Sequence, residues 1–447
     1  MKRIIQCLQL SALLAVGAPA FTQGTAPILL KNVSLIDGTG SAPGPQTDIL
    51  IRGENIESIG KGIKSAGARE IDLKGKTVIP ALISAHAHVG TLKGTTSTAE
   101  NYTRENILRH LKKYQDYGVG AVLVMGTDRP LIFENGLRDS TVAGQLPGAR
   151  MFSAGYGFNT PANSPASWMN LLLRPETPED VPAMMEKLAQ VKPDVVKMWV
   201  DDHGGGMKMK PEIYKAIIRE AHKRNIRVAA HLFYAEDARL LTEAGIDIIA
   251  HSIRDKEVDA DLLKKMKEKN VIYIPTLSLD EYQFVYAGKP DWVTDEFFKK
   301  SLEPGVFEMI TDPGYGEKIK NAPEYSQNMA AFKTALKNLK KIYDAGITVA
   351  LGTDSGAFPV RTQGFTEHLE MELMVQAGLT PLQAITVSTR NAAKAIRIDN
   401  QYGTIEKGKK ADLIILDADP VKDIKNTRKI SAVWKNGKEV SRGPLAQ

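Results

Sequence analysis

Thr77-Val78-Ile79-Pro80-Ala81-Leu82-Ile83-Ser84-Ala85-His86-Ala87-His88 is an apolar run that ends on two histidines two positions apart. On a strand, residues i and i+2 project to one face, so both imidazoles reach the same side. A lone His-x-His is common, and the rest of the chain is more telling. Further strands are predicted at Ala121–Met125, Arg150–Ser153, Asp194–Val200, Arg227–Leu232, Ile246–His251, Val271–Pro275 and Thr348–Gly352, with amphipathic helical stretches between them. With Thr77–Ser84 these make eight strands, and they predict an α/β fold: a (β/α)8 TIM barrel over residues 79–396. A doubly wound sheet is the alternative, but no Gly-rich phosphate fingerprint follows the first strand.

Outside the barrel the grammar changes. Residues 26–78 carry short apolar runs separated by Gly and Pro clusters. At the other end, Asp412–Leu416 and Ser431–Trp434 precede Asn436-Gly437, a hairpin turn signal, and Lys438-Glu439-Val440. Residues 21–78 and 397–447 are therefore expected to join into a small β-sandwich domain. One stretch breaks the barrel rhythm. Residues 278–330 exceed a simple βα loop and carry Tyr282, Phe284, Tyr286, Trp292, Phe297, Phe298 and Phe307. Such an insertion reads equally as an active-site lid, whose aromatics would favour a bulky apolar substrate group, or as peripheral helical packing.

The chain has 447 residues, 43% hydrophobic and 25% charged, which excludes collagen-like, coiled-coil and disordered classes. Its 58 basic residues only slightly exceed its 52 acidic ones, and Lys264, Lys265, Lys267 and Lys269 read as a solvated helix face. Nucleic-acid binding is not indicated. Lys2 and Arg3, the apolar run Leu8–Val16 and Ala18-Pro19-Ala20 read as a signal peptide over residues 1–20. A secreted or periplasmic protein without integral membrane association is expected. An uncleaved anchor is the weaker reading, since about 20 apolar residues are needed to span a bilayer. Cys7, the only cysteine, would leave with that peptide, so any metal must be held by nitrogen and oxygen.

His231 closes Val228-Ala229-Ala230-His231, His251 closes Ile248-Ile249-Ala250-His251, and Asp354 follows Val349–Thr353. With His86 and His88 they sit at carboxyl ends of strands, the face where barrel enzymes build their sites. Such donors suit Zn²⁺, with Mn²⁺, Co²⁺ or Fe²⁺ as alternatives. Lys197 lies within the apolar run Asp194–Val200, where an ammonium is costly to bury. It either pairs with Asp201 or Asp202, or stays neutral and captures CO2 as a carbamate able to bridge two metals. His203 and Arg254 follow the fourth and sixth strands and are candidates for meeting a substrate carboxylate. His110 and His222 fall in helical stretches and read as structural or exposed, while His368 lies in a helix after the eighth strand.

With these residues in place, the chain resembles the metal-dependent amidohydrolase superfamily, in its imidazolonepropionase-like branch that includes Xaa-Pro dipeptidases and related carboxypeptidases. The likeness covers almost the whole chain after residue 20. It is carried by Val78–His88, the Lys197 strand, the His231 and His251 strand ends, Gly352-Thr353-Asp354-Ser355, Gly378-Leu379-Thr380-Pro381, Thr389-Arg390-Asn391-Ala392-Ala393 and Gly403–Leu413. The resemblance implies two divalent metal ions, one held by His86, His88 and Asp354 and the other by His231 and His251. Carboxylated Lys197 and a hydroxide would bridge them. The hydroxide attacks an amide carbonyl, and Asp354 passes its proton to the leaving amine.

Two departures stand out. Ala81 and Ser84 replace the usual Gly and Asp of the Pro-Gly-Leu-Ile-Asp approach, and Phe233 occupies the place where related dipeptidases often have tyrosine. Tyr234, one residue later, becomes the candidate oxyanion donor. The expected activity is amide hydrolysis in a dipeptide or an N-acyl amino acid. Hydrolysis of cyclic amides is the rival, ahead of deamination or a non-catalytic binding protein. A homo-oligomer is common among such proteins.

Overall fold

The computed structural model describes residues 26–44, 46–161, 169–202 and 206–446. The signal-peptide reading of residues 1–20 and the candidate His203 lie outside the described residues.

Eight parallel strands carry the centre of the molecule: Leu82–Ala87, Val119–Val124, Arg150–Ser153, Val195–Trp199, Arg227–His231, Ile248–Ala250, Ile272–Ile274 and Thr348–Val349. Each matches a strand expected from the apolar runs. They are ordered as one sheet of three and one of five, not as a single closed ladder. Backbone hydrogen bonds cross both seams. Asp194 N–H donates to Ser153 O at 2.8 Å on one side, and Ala85 N–H donates to Leu351 O at 2.8 Å on the other.

The run Thr77–His88 is divided between two sheets. Thr77–Pro80 pairs antiparallel with Leu413–Leu416 and parallel with the end of Ile28–Leu35, whereas Leu82–Ala87 pairs with Val119–Val124. Ala81, between them, donates its N–H to Asp412 O at 3.0 Å. The strand that delivers the two histidines is thereby anchored at its start in the terminal sheet.

That terminal sheet has eight strands from both ends of the chain, connected through Ile28–Leu35. The first part of that strand pairs with Thr47–Arg52 and Arg69–Asp72, and its last residues pair with Thr77–Pro80, on either side of Asn32 at φ +59°. The ladder is unbroken, so the pairing does not separate it into two layers. Leu30, Val33, Ile49, Val78, Leu413 and Trp434 form an apolar cluster of its own, distinct from the barrel core. The hairpin at Asn436-Gly437 is present, with both residues at positive φ (50° and 72°) as a type I′ turn requires.

Helices cover the barrel for ordinary reasons. Arg104–Asp116 starts at Thr103, whose hydroxyl accepts the Asn106 N–H at 3.2 Å, and buries Ile107, His110, Leu111 and Tyr114 along one face. In the 278–330 region, short helices at Leu277–Tyr282, Glu296–Lys299, Val306–Thr311 and Pro313–Lys320 precede a long one at Tyr325–Asp344. Its aromatics pack inward. Trp292 meets Phe298 at 4.7 Å and Phe365 at 5.2 Å, and Phe297 meets Tyr117 at 4.6 Å and His368 at 5.0 Å. They hold the insertion onto helix Phe365–Gln376, so the inference from them to a bulky substrate group does not stand. Among the described residues, no helix is long and apolar enough to cross a membrane.

Candidate metal centre

Barrel alternation sets the site. In Val195–Trp199, Lys197 and Trp199 share the parity that points into the mouth, and both line a cavity of about 430 Å³. His86, His88, His231, His251 and Asp354 line it too. His86 stands near the end of the first strand and His88 just past it; His231 ends the fifth, and His251 follows the sixth.

The loop bearing Asp354 is pinned back onto the first strand. Thr353 and Asp354 both donate their N–H groups to His86 O, at 2.9 and 3.0 Å, and His88 N–H donates to Ser355 O at 2.8 Å. A side chain at Gly352 would put its Cβ 2.6 Å from His86 Cβ, so only glycine permits this approach. Asp354 and His251 adopt φ of +58° and +85°, and Thr276 beside His251 adopts +51°. Left-handed non-glycine residues cost about 1–3 kcal/mol each and persist where the surroundings impose them. Here they cluster at one site.

Asp354 Oδ1 lies 3.1 Å from His86 Nε2 and 2.8 Å from His88 Nε2, and the three form one cluster of metal-ligand type. His86 and His251 rings are 4.6 Å apart, and His231 and His251 rings 4.3 Å. Burial pushes His86 down to about 3 and holds His231 and His251 well below the usual imidazole range, leaving neutral rings that can donate lone pairs. Burial opposes ionisation of Asp354, but His88 and His86 outweigh it and hold the carboxyl well below its ordinary value.

Two second contacts orient the rings. Thr127 Oγ1 lies 2.7 Å from His88 Nδ1, and Thr276 Oγ1 lies 2.9 Å from His251 Nδ1. His86 Nδ1 and His231 Nδ1 are buried without a hydrogen-bond partner among the described residues. Burial of Lys197 brings its amine down to about 7, and no carboxylate among the described residues forms an ion pair with it. The expected alternative of a salt bridge with Asp201 or Asp202 is therefore absent. Four converging imidazoles, a buried amine and one carboxylate fit a divalent cation better than they fit one another.

The substrate-side candidates fare unevenly. Tyr234 is not among the described residues lining the cavity; Phe233 is, because consecutive residues leave the strand end on opposite sides. The Tyr234 ring instead lies under Lys208 Nζ at 4.9 Å, which corrects the oxyanion-donor expectation. Arg254 lines the wall, but its Nε binds Asp280 Oδ1 at 2.9 Å, its Nη1 donates to Ser252 O at 2.8 Å, and its plane rests 4.6 Å from the Phe233 ring. The other histidines are accounted for elsewhere. His110 Nδ1 accepts from Gly90 N–H, His222 meets Asp247, and His368 bridges Tyr117 O and Thr427.

Several site residues carry no signal in sequence spacing. Glu367, fully buried, accepts hydrogen bonds from Thr353 Oγ1 at 2.7 Å, Ser355 Oγ at 2.8 Å and Gly364 N–H at 2.9 Å, bracketing Asp354 on both sides. Glu370 accepts the Leu277 and Ser278 N–H groups at 2.7 and 2.8 Å, fixing the turn that contains Thr276. Arg361 Nη1 bonds Asp354 Oδ2 from the loop after the eighth strand. Only buried acids on a helix otherwise made for the core could have hinted at the first two.

A model of the amidohydrolase family matches residues 77–440. Ochratoxinase of Aspergillus niger is 29% identical over 250 residues, 55% of this chain; the match spans 44% of ochratoxinase's length. Imidazolonepropionase of Geobacillus sp. (strain WCH70) is 26% identical over 384 residues, 79% of this chain and 77% of that protein. A crystal structure of a Xaa-Pro dipeptidase with methionine in its active site superposes with a TM-score of 0.72 and 25% identity, covering 93% of this chain and 99% of the other. The architecture is thus of the TIM-barrel type, and the family is typically metal-dependent, in keeping with the His86, His88 and Asp354 cluster. The family match runs from the strand that anchors the histidine pair to the last strand of the terminal sheet, and so takes in every ligand candidate; the chain belongs to the amidohydrolase family, a metal-dependent class of hydrolases.

Proposed function

We propose that this protein is an exported binuclear hydrolase that cleaves the amide bond of a dipeptide or an N-acyl amino acid. The observation that carries the proposal is the convergence of His86, His88, His231, His251, Lys197 and Asp354 in one cavity. His86, His88 and Asp354 would hold one divalent ion, most simply Zn²⁺, and His231 and His251 the other. Lys197 would stand between them as a carbamate. Its near-neutral amine can attack CO2 at physiological pH, releasing one proton and leaving an anionic ligand. When bound, the ions acidify water and polarise the amide carbonyl.

The chain's own groups supply the rest. Asp354 Oδ1 faces both His86 and His88, so Oδ2, which also accepts from Arg361 Nη1, is the oxygen that would receive a proton from the attacking water and return it to the leaving nitrogen. Thr127 and Thr276 keep the imidazoles in one tautomer and orientation. Met169, Trp199, Phe233, Leu279 and Phe358 give the cavity an apolar wall suited to the acyl or side-chain group. Export rests on residues 1–20 and a homo-oligomer on family habit alone.

The long match to imidazolonepropionase favours a second reading, hydrolysis of a cyclic amide. Both are tested by incubating the protein, loaded with zinc in bicarbonate, with dipeptides, N-acyl aromatic amino acids and cyclic ureides and lactams. Mass spectrometry then reads the products. Release of a free amino acid from linear members is expected. Ring opening alone would transfer the protein to the second reading, and inertness toward every member would overturn both.

A further inference from the structure

We infer that Arg361 is the residue that recognises the substrate's free carboxylate, and that this carboxylate belongs to the amino acid released as the leaving amine. The inference rests on the amide-hydrolase reading and deepens it. A substrate with a free carboxylate needs a cation in the cavity wall, and besides Lys197 the described lining offers Arg254 and Arg361. Arg254 has already spent its Nε on Asp280, its Nη1 on a backbone carbonyl and its face on Phe233. Both members of that ion pair are buried, so its charge is balanced within the wall.

Arg361 is differently placed. It stands on the loop after the eighth strand, with its guanidinium 5.0 Å from the ring of Phe358, an exposed residue that also lines the cavity. Its one bond goes from Nη1 to Asp354 Oδ2; among the described residues nothing else engages the group. An arginine has five N–H donors. With Nη1 occupied, the edge formed by Nε and Nη2 is left, and that edge is the one that accepts a carboxylate in a two-bond fork.

The contact with Asp354 also sets direction. Asp354 Oδ2 is the atom assigned to protonate the leaving nitrogen. In an α-amino acid, only the α-carbon separates that nitrogen from the carboxylate. A nitrogen at Asp354 therefore brings its own carboxylate toward Arg361, whereas a carboxylate on the acyl side would lie across the scissile bond.

The test compares each linear substrate that is turned over with its C-terminal carboxamide, using wild type, Arg361→Gln and Arg361→Lys. Metal content and melting temperature of every variant are measured alongside. Wild type is expected to prefer the carboxylate by roughly 30-fold or more in kcat/KM, as expected when a desolvated charge pair is lost. In Arg361→Gln this preference should collapse to within a few-fold, mainly through KM, and Arg361→Lys should restore part of it. A preference that survives in Arg361→Gln while both activities fall together would show that Arg361 acts only through Asp354, and overturns the inference. A wild type indifferent to the carboxylate overturns it as well. Calorimetric binding of N-acetyl-phenylalanine and of its carboxamide separates this result from failure of the hydrolase reading. Carboxylate-selective binding that is lost in Arg361→Gln sustains the inference even if no amide is cleaved; non-selective binding sinks it. If Arg361→Gln does not fold, Arg361→Lys decides: an unaltered preference and unaltered selectivity of binding refute the two-bond fork.

Discussion

Arg254→Met tests whether that arginine belongs to the scaffold or to substrate recognition. Arg254 is 7% exposed and its partner Asp280 4%, with Nε and Oδ1 2.9 Å apart. Breaking a pair this deep strands the Asp280 carboxylate, at a cost of about 3–5 kcal/mol. For a 447-residue chain, an unfolding entropy of about 2.1 cal/mol/K per residue makes that a fall of roughly 3–5 °C in melting temperature. Burial already raises the Asp280 pKa, and removing Arg254 takes away the main opposing influence. A carboxyl with a raised folded pKa contributes stability below its unfolded pKa and loses it as pH rises through the folded value. The deficit of Arg254→Met should therefore be larger at pH 8 than at pH 5. Calorimetry at both pH values on Arg254→Met, Asp280→Asn and the double variant gives the comparison, and the double variant should recover most of the loss. A single variant within about 1 °C of wild type at both pH values would refute the reasoning. So would a carboxylate-to-carboxamide preference that disappears in Arg254→Met with the melting temperature unchanged, because Arg254 would then be the substrate-binding cation.

Thr276→Val keeps the branched shape already tolerated at φ +51° but removes the partner of His251 Nδ1, so metal affinity should fall about 10- to 100-fold in competition with a chelator dye. Glu367→Gln keeps the shape of the group that bonds Thr353, Ser355 and Gly364 but turns a donor toward them; a lower kcat at unchanged metal content and KM is expected by steady-state kinetics. Glu370, raised by burial to about 8, contributes stability at low pH that is lost as pH rises through that value. The difference in stability between wild type and Glu370→Gln should therefore favour wild type more at pH 5 than at pH 9, as read by denaturant titration. Removing divalent ions with a chelator should abolish turnover and lower the melting temperature, and zinc with bicarbonate should restore both.

The barrel was legible because its evidence is local. Each of its strands is a short apolar run bounded by turn residues, and Arg150–Ser153 keeps the expected limits unchanged. The division of Thr77–His88 between two sheets was not legible, since a continuous apolar run carries no mark of which sheet its halves join. The ligand candidates were legible for a related reason. A histidine at the end of a buried strand is a conflict between residue type and position, and four such conflicts at matching strand ends point to one cause. Arg361, Thr276, Glu367 and Glu370 pose no such conflict. They lie on loops or on a helix where charged and hydroxylated residues are ordinary by type. Glu367 stands 13 residues after Asp354 in the chain, yet meets its loop only because helix Phe365–Gln376 folds back under it. Tyr234 fails for the opposite reason: a one-residue offset looks small in sequence, but at a strand end it turns the side chain to the other face. Ligand candidates that sit on strands can therefore be read from periodicity, whereas groups that pack against them come from elements whose approach is set by tertiary packing. That difference is why Arg254, next to a ligand strand, drew attention in sequence, and why Arg361, brought in by a loop, emerges only from its contact with Asp354.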